Sequence, residues 1–534
     1  MSFYQVIMKI IKEIKLFFLG FIFITVANAQ LPSFKQRGFY LHEGWYFNYP
    51  FAVKTWAKED YSKMFHLLKL MEYSQVALWP MLEAIPAPLS KTDEIAIKKF
   101  RNIIDDAHKA ELECWLVQNA NLTPKSNAIA SLPWKQRVPY DSWKQVRLDS
   151  VEQTHAYLIH RSKMMAILNN ADAYVTIDGD PGGYPGAKPA DWLKVFLSDR
   201  VTIDKFGVNP SKQRLIPWIW SGWGAGTVWG GNAWNPPVLI KPFTGATMKL
   251  FKEAMPEPWE VLAGRSHRED WANGRVNVLL ADSLSLMYKT NILCYEAIEF
   301  EPTPPASILQ FNLIRQILRD ESTYATTALG VFGNAQQPVM VLPNIFFFAK
   351  AAYNLSYLNK TDNEILKDFA DFLGGPPDVL IPAWSCLQRS LDELPKDLPE
   401  KLRSIKFNGD VANLIPGGSK LYVEILAKEV ESRIQLLEAT ATPAATNKQA
   451  AKNIAKAITA IVNWWKVHRY VVAGKPTEPF SLDYVHSSQV SILKDWCRVN
   501  IKTSVTVTNM VVSILSKNNV LPMYQACKLV RSLF

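Results

Sequence analysis

The chain is short of cysteine and of clustered charge, and each shortage removes a class of protein. Its five cysteines (Cys114, Cys294, Cys386, Cys497, Cys527) are odd in number and far apart, with no C-x-x-C pair and no Cys/His cluster at zinc spacing. A disulfide scaffold and a structural zinc module are therefore excluded. Cys114 and Cys294 sit in apolar runs and read as buried thiols; a Cys497–Cys527 bridge is conceivable but not deducible. Lysine and arginine exceed the acids by 59 to 49, giving a net charge of +10, yet no dense basic run exists, so nucleic acid is not an expected partner. Glycine (24) and proline (33) are too few and too dispersed for a fibrous or low-complexity chain. No G-x-S-x-G elbow occurs, and SGWGAGTVWGG (221–231) lacks dinucleotide or P-loop spacing.

A long apolar run is missing too, except at the start. Lys9, Lys12 and Lys15 precede LFFLGFIFITVA (16–27), which is too short to span a bilayer, and Ala27-Asn28-Ala29 has the form of a cleavage site. Residues 1–29 read as a signal peptide, and the mature chain is expected to be secreted or periplasmic, without a membrane span. Its oligomeric state is not legible.

With 48% hydrophobic and 20% charged residues, most of the chain should fold. Short apolar runs alternate with helical patterns from Gln30 to Asn359. Strands are expected at 37–44, 74–80, 113–119, 173–178, 214–220, 259–264, 291–298 and 327–333, with helices over 59–72, 92–110, 148–169, 189–199, 305–320 and 343–356. That alternation predicts an α/β fold, a (β/α)8 TIM barrel over 30–359. From 360 to 534 the spacing of Leu421, Val423, Leu426, Val430, Ile434 and Leu437, and the similar runs 446–472 and 487–517, predict an α-helical C-terminal domain. ATATPAATN (439–447) reads as a loop within it.

In such a barrel the chemistry gathers at the C-terminal ends of the strands. The predicted ends carry His42 and Glu43, Trp79, Asn119 and Asn121, Asp178 and Asp180, Trp218 and Trp220, Arg265 and His267, Glu296 and Glu299, and Asn334 and Gln336. Amides and carboxylates bind hydroxyls, and indoles stack on the apolar faces of sugar rings. With 18 Trp and 12% aromatic residues in all, Trp79, Trp218, Trp220, Trp223, Trp229 and Trp234 are expected to line a carbohydrate rim. The expected partner is an oligo- or polysaccharide, with no metal and no organic cofactor.

YVTIDGDPGGYPGA (174–187) is the sharpest motif. Asp178 and Asp180 are two apart, so on a strand they share a face, and two like charges raise one of the pair enough to donate a proton. D-x-D-x-G starts like a calcium loop, but its twelfth position is Pro189, not Glu, and that reading is rejected. CYEAIEFEP (294–302) is the second carboxylate source. On an extended strand Glu299 and Glu301 would face opposite to Glu296, and one of Glu296 or Glu299 would face the mouth as base or nucleophile. The rival for each is an ion pair with Arg265 or Arg315. Two carboxyls flanking a glycosidic bond stand about 5–5.5 Å apart in retaining enzymes and about 6.5–9.5 Å in inverting ones.

YVTIDGDPGGYPG resembles the segment of alpha-glucuronidases (glycoside hydrolase family 67) in which Asp-x-Glu precedes a Gly/Pro-rich loop. The resemblance implies that Asp180, one methylene shorter than the family's Glu, is the general acid. LGVFGNAQQPVMVLPNIFFFAKAAYNL (329–355) resembles the eighth strand and helix of the same barrel glycosidases. ALWPML (77–82) with IIDDAHKAELECWL (103–116) is similar to the early barrel of that broad group, which includes beta-hexosaminidase-like enzymes. The resemblance implies an exported glycoside hydrolase, with a non-catalytic glycan-binding barrel as the alternative and an exported scaffold as a third reading.

Overall fold

The computed structural model describes residues 32–42, 49–124, 143–177, 183–184, 186–219, 223, 240–266, 284–299, 309–385, 394–441 and a few positions between 449 and 476. Eight parallel strands close into a barrel: β1 (Gln36–His42), β2 (Gln75–Trp79), β3 (Glu113–Asn119), β4 (Ala173–Ile177), β5 (Arg214–Ile219), β6 (Val261–Ser266), β7 (Thr290–Tyr295) and β8 (Gly330–Ala335). Closure comes from β8 pairing with β1, Gln36 opposite Gly330 and Leu41 opposite Ala335. Strands buried on both faces must be apolar nearly throughout, and for that reason these runs stand out in the sequence. A short antiparallel pair, Leu122–Pro124 with Trp143–Gln145, follows β3.

The helices of the wall are α1 (Lys58–Leu70), α2 (Lys91–Lys109), α3 (Val151–Ile167), α4 (Pro189–Phe206), α5 (Ile240–Ala254), α6 (Phe311–Tyr324) and α7 (Leu342–Tyr353). Local chemistry starts them. Ser90 accepts the Asp93 N–H at 3.1 Å at the head of α2, and Asp191 accepts the Lys188 N–H at 2.9 Å at the head of α4, where Pro189 fills a position needing no donor. Beyond Asn359, α8 (Asp362–Leu373), α9 (Pro377–Ser385), α10 (Leu398–Arg403) and α11 (Gly418–Ala441) pack onto the α7 side. Phe369 bridges Phe346 of α7 and Trp384 of α9 with centroids 5.2 and 4.8 Å away, and Trp384 Nε1 donates to Tyr422 Oη at 2.8 Å. Val471 and Val472, expected at the end of a helix, instead pair with Lys475 and Pro476. The run 487–517 and Cys386, Cys497 and Cys527 lie outside the described residues; Cys114 and Cys294 are buried. No helix among the described residues is long and apolar enough to cross a membrane.

Inside the barrel, large rings from some strands meet small residues on others. Tyr40, Trp79, Trp115, Trp218, Tyr295 and Phe332 interleave with Ala77, Ala173 and Val175. Phe332 lies against Trp115 with centroids 4.4 Å apart, and a Cβ on Gly38 would fall 1.9 Å from the Phe332 ring, so β1 carries glycine there. Arg214 closes the N-terminal end, 2.7 Å from Glu113 and 3.1 Å from Glu260, with Asn291 donating to Glu260.

One charge sits in the wall itself. Arg161 of α3 is almost fully enclosed, and its five donor hydrogens all have takers. Nε and Nη2 meet the two Asp199 oxygens at 2.8 Å each, Nη1 reaches Asn119 O at 2.8 Å and Tyr157 Oη at 3.3 Å, and Nη2 reaches Thr176 Oγ1 at 3.1 Å. The ends of β3 and β4 are thereby tied to α3 and α4. Removing one partner strands the other: Arg161→Met should cost about 3–5 kcal/mol in urea unfolding, and the double variant Arg161→Met/Asp199→Leu should recover most of it. A single-variant cost under about 1 kcal/mol would sink this account.

Candidate functional site at the C-terminal mouth

β7 stops at Tyr295, and the next residue turns the chain. Glu296 has φ +66, a left-handed conformation costing a non-glycine residue about 1–2 kcal/mol. Asn334 of β8 holds it there, its Oδ1 accepting the Glu296 N–H at 3.0 Å. The period-two alternation expected through Glu296, Glu299 and Glu301 therefore ends at Tyr295, and Glu301 is outside the described residues. Glu296 is 1% exposed, so its carboxyl is enclosed on a strained backbone where β7 ends.

Glu299 is differently placed. One of its oxygens accepts the N–H groups of Gln336 (2.6 Å) and Gln337 (2.9 Å), and the other faces Gln337 Nε2 at 3.3 Å. It staples the loop after β7 to the loop after β8, and Asn344 Nδ2 adds a bond to Ile298 O at 2.9 Å. Burial pushes the Glu299 carboxyl up to about 7, against the pull of those three donors. On the β8 side, Asn334 Nδ2 and Gln336 Nε2 are buried donors with no partner among the described residues. Asn334 follows the inward-facing Phe332 by two residues, so it points into the lumen above that ring.

On the adjoining strands β1 and β2, His42 and Trp79 are paired in register, their rings 5.4 Å apart, and Tyr40 lies 5.6 Å from the imidazole. Burial lowers the His42 pKa to about 3, so it is a neutral donor and acceptor. Trp79 Nε1 donates to Glu83 at 3.2 Å, and the Asn119 N–H donates to the same carboxylate. Glu83 is raised by burial and lowered in part by these donors. Sequence reasoning missed Glu83; an acid inside the otherwise apolar LWPMLEAIP was the available signal, since such a group must be partnered.

The expected site residues fall into three sets. His42, Trp79, Asn119, Trp218, Glu296, Glu299, Asn334 and Gln336 lie on strand ends or the loops just beyond them. Asn121 lies with them, but its side chain is spent on protein: Nδ2 donates to Val146 O and Gly183 O, and Oδ1 accepts the Gly183 N–H. It is a loop clamp and not the ligand contact expected. Glu43, Asp178, Asp180, Trp220, Trp229, Trp234 and His267 are outside the described residues, and Arg265 is described only as backbone of β6.

The aromatic rim needs correction where it is visible. Trp79 and Trp218 are 0% and 3% exposed and fill the lumen. Trp223 packs outside it, 5.7 Å from Trp192 in a stack, with Nε1 bonded to Lys188 O at 2.8 Å. These indoles shape the floor and walls, and stacking alone does not distinguish a sugar face from a protein core.

No family model and no curated protein matches the chain. Solved structures are similar in architecture at low identity. A mutant of the Thermobaculum terrenum O-GlcNAc hydrolase is 12% identical with a TM-score of 0.42, covering 88% of this chain and 96% of that one. A GH138 enzyme targeting pectin rhamnogalacturonan II is 10% identical with a TM-score of 0.46, covering 89% and 68%. CpGH84D is 12% identical with a TM-score of 0.43, covering 87% and 76%. These neighbours are glycoside hydrolases of families 84 and 138, and membership of family 67 is not shown.

Proposed function

We propose that the chain is an exported glycoside hydrolase that cleaves a complex glycan with carboxylates at the C-terminal mouth of the barrel. The observation that carries the reading is Glu296: an enclosed acid on a left-handed backbone, gripped by Asn334 of the neighbouring strand. Neutral His42 and the open amide donors of Asn334 and Gln336 are suited to hydroxyl groups, so the substrate arm of the proposal is a sugar. Asp180 protonates the leaving oxygen, Asp178 orients it, and Glu296 activates water or attacks the anomeric carbon. Glu299 holds the Glu296 loop against β8 and is a positioning residue. Glu43, Trp220, Arg265 and His267 complete the subsites. Residues 1–29 are removed on export, leaving the barrel (30–359) and the helical domain (360–534); an N-terminus at Gln30 in the exported protein checks this.

A panel of aryl glycosides and glycan fragments tests the chemistry. Glu296→Gln and Asp180→Asn should each lower kcat by about 10²–10⁴-fold with the fold intact. Asp180→Asn should spare substrates whose leaving group needs no protonation. A wild-type chain that binds glycan fragments and turns none over would establish the glycan-binding alternative instead.

Glu299 makes a separate prediction. Its folded pKa, about 7, lies above the ordinary 4.5. Between those values the folded state binds the extra proton, so the stability contributed by Glu299 is fully present below pH 4.5 and is lost as pH rises through 7. The decline is on the order of 3 kcal/mol. Glu299→Gln should flatten that segment of the stability–pH curve in thermal melts; an unchanged slope would refute the burial of an ionising carboxyl there.

A further inference from the structure

The helical domain carries a groove that the proposed chemistry does not use. Residues between 403 and 424 line it, where the chain leaves α10, turns, and enters α11. Its volume is about 740 Å³, within the range of about 300–1,000 Å³ usual for small-ligand sites. Among the described residues nothing lies within 4 Å of the place a Cβ on Gly409 would take, so the groove is open at that rim.

The charges around it do not balance inside the groove. Glu424 is the one acid of the lining. Arg403 Nε donates to it at 2.9 Å, Arg403 Nη1 donates to Glu431 at 2.6 Å, and Lys428 Nζ stands 3.6 Å from Glu424. Two cations thus meet two anions, and that cluster is neutral. Lys406 and Lys420 remain. Both line the groove, both are exposed, and neither has an ion-pair partner among the described residues. Two ammonium groups on one concave surface attract carboxylates.

The rest of the lining is amphipathic. Ser419 Oγ donates to Asn413 Oδ1 at 2.8 Å, which leaves the Asn413 amide hydrogens for another acceptor. Phe407 and Val423 supply an apolar wall. Point charges, an amide donor and an apolar wall together match a sugar ring that bears a carboxylate. The groove is also fixed to the barrel near its mouth. Asp60, in the first turn of α1, accepts the Gly417 N–H at 3.0 Å, and a Cβ on Gly417 would stand 3.4 Å from Pro50. Because α1 follows β1, its first turn lies on the side where the strands end.

We infer that this groove is a second carbohydrate site, which binds oligosaccharides carrying uronic-acid carboxylates beside the mouth. The choice of a sugar rests on the hydrolase reading; the choice of an anion rests on Lys406 and Lys420.

Calorimetry on the full chain tests it, with a short oligogalacturonate as probe and a neutral oligosaccharide and an oligoglutamate as comparisons. Oligogalacturonate should bind, and more weakly as salt rises. Lys406→Gln/Lys420→Gln should weaken that binding about tenfold at an unchanged melting temperature, the combined effect of two exposed ion pairs. Equal affinity in the double variant and the wild type would overturn the inference, as would equal affinity for the neutral oligosaccharide. Oligoglutamate bound as tightly through the same lysines would overturn it too, since the site would then suit an acidic peptide. Should the wild type turn over no glycan while lysine-dependent binding of oligogalacturonate persists, the hydrolase reading fails and the groove stands.

Discussion

A single guanidinium buried in the barrel wall organises the half of the molecule where β3 and β4 end. Taking Arg161 and Asp199 out of water is costly, and the arrangement is stable only because every donor of the fork is used. That requirement makes the contact a fixed point. The planar fork holds Asn119 O, Thr176 Oγ1 and Tyr157 Oη in one geometry, which a lysine ammonium, with three donors on a flexible stem, would not. The chain beyond Ile177 and the chain beyond Asn119 both start from places set by this contact. Asn121, two residues on, extends the same frame outward to Gly183.

The lumen supplies the other half of the frame. Phe332 and Trp115 fill its centre so completely that β1 must present glycine and β2 and β4 alanine. Arg214 with Glu113 and Glu260 closes one end. The polar residues at the other end therefore stand on a packed floor, and they cannot sink into it without displacing rings. Packing of this kind is what lets Asn334 hold Glu296 in a left-handed turn: the strain is resisted by β8, which cannot yield.

The barrel was legible because strands buried on both faces read as continuous apolar runs, and helix starts such as Ser90 and Pro189 punctuate them. The interior was less so. Trp79 and Trp218 occur at strand ends as expected, but a tryptophan at a strand end can cap the core or meet a ligand, and only the depth of the lumen decides. Glu83 carried a signal in its apolar surroundings that went unused, because its burial depends on Trp79 and Asn119, one on its own strand end and one on the next. The turn at Glu296 had no signal at all. Glutamate is not a turn residue, and its conformation is imposed by Asn334, thirty-eight positions away. Likewise the partner of Asn121, Gly183, is a tertiary neighbour that spacing along the chain cannot reveal.

Glu296 and Glu299 lie three residues apart in one apolar run, and they show why a shifted pKa is a poor guide to role on its own. Glu299 has the displaced value, yet both of its oxygens already face donors that fix β7 to β8. A ligand reaching it would have to break those bonds, and the loop holding Glu296 would loosen with them. The bond from Glu296 to Asn334 uses the backbone N–H, so that contact does not depend on the state of the Glu296 carboxyl. The same short segment therefore joins the two strand ends twice, through the Glu299 side chain and through the Glu296 backbone.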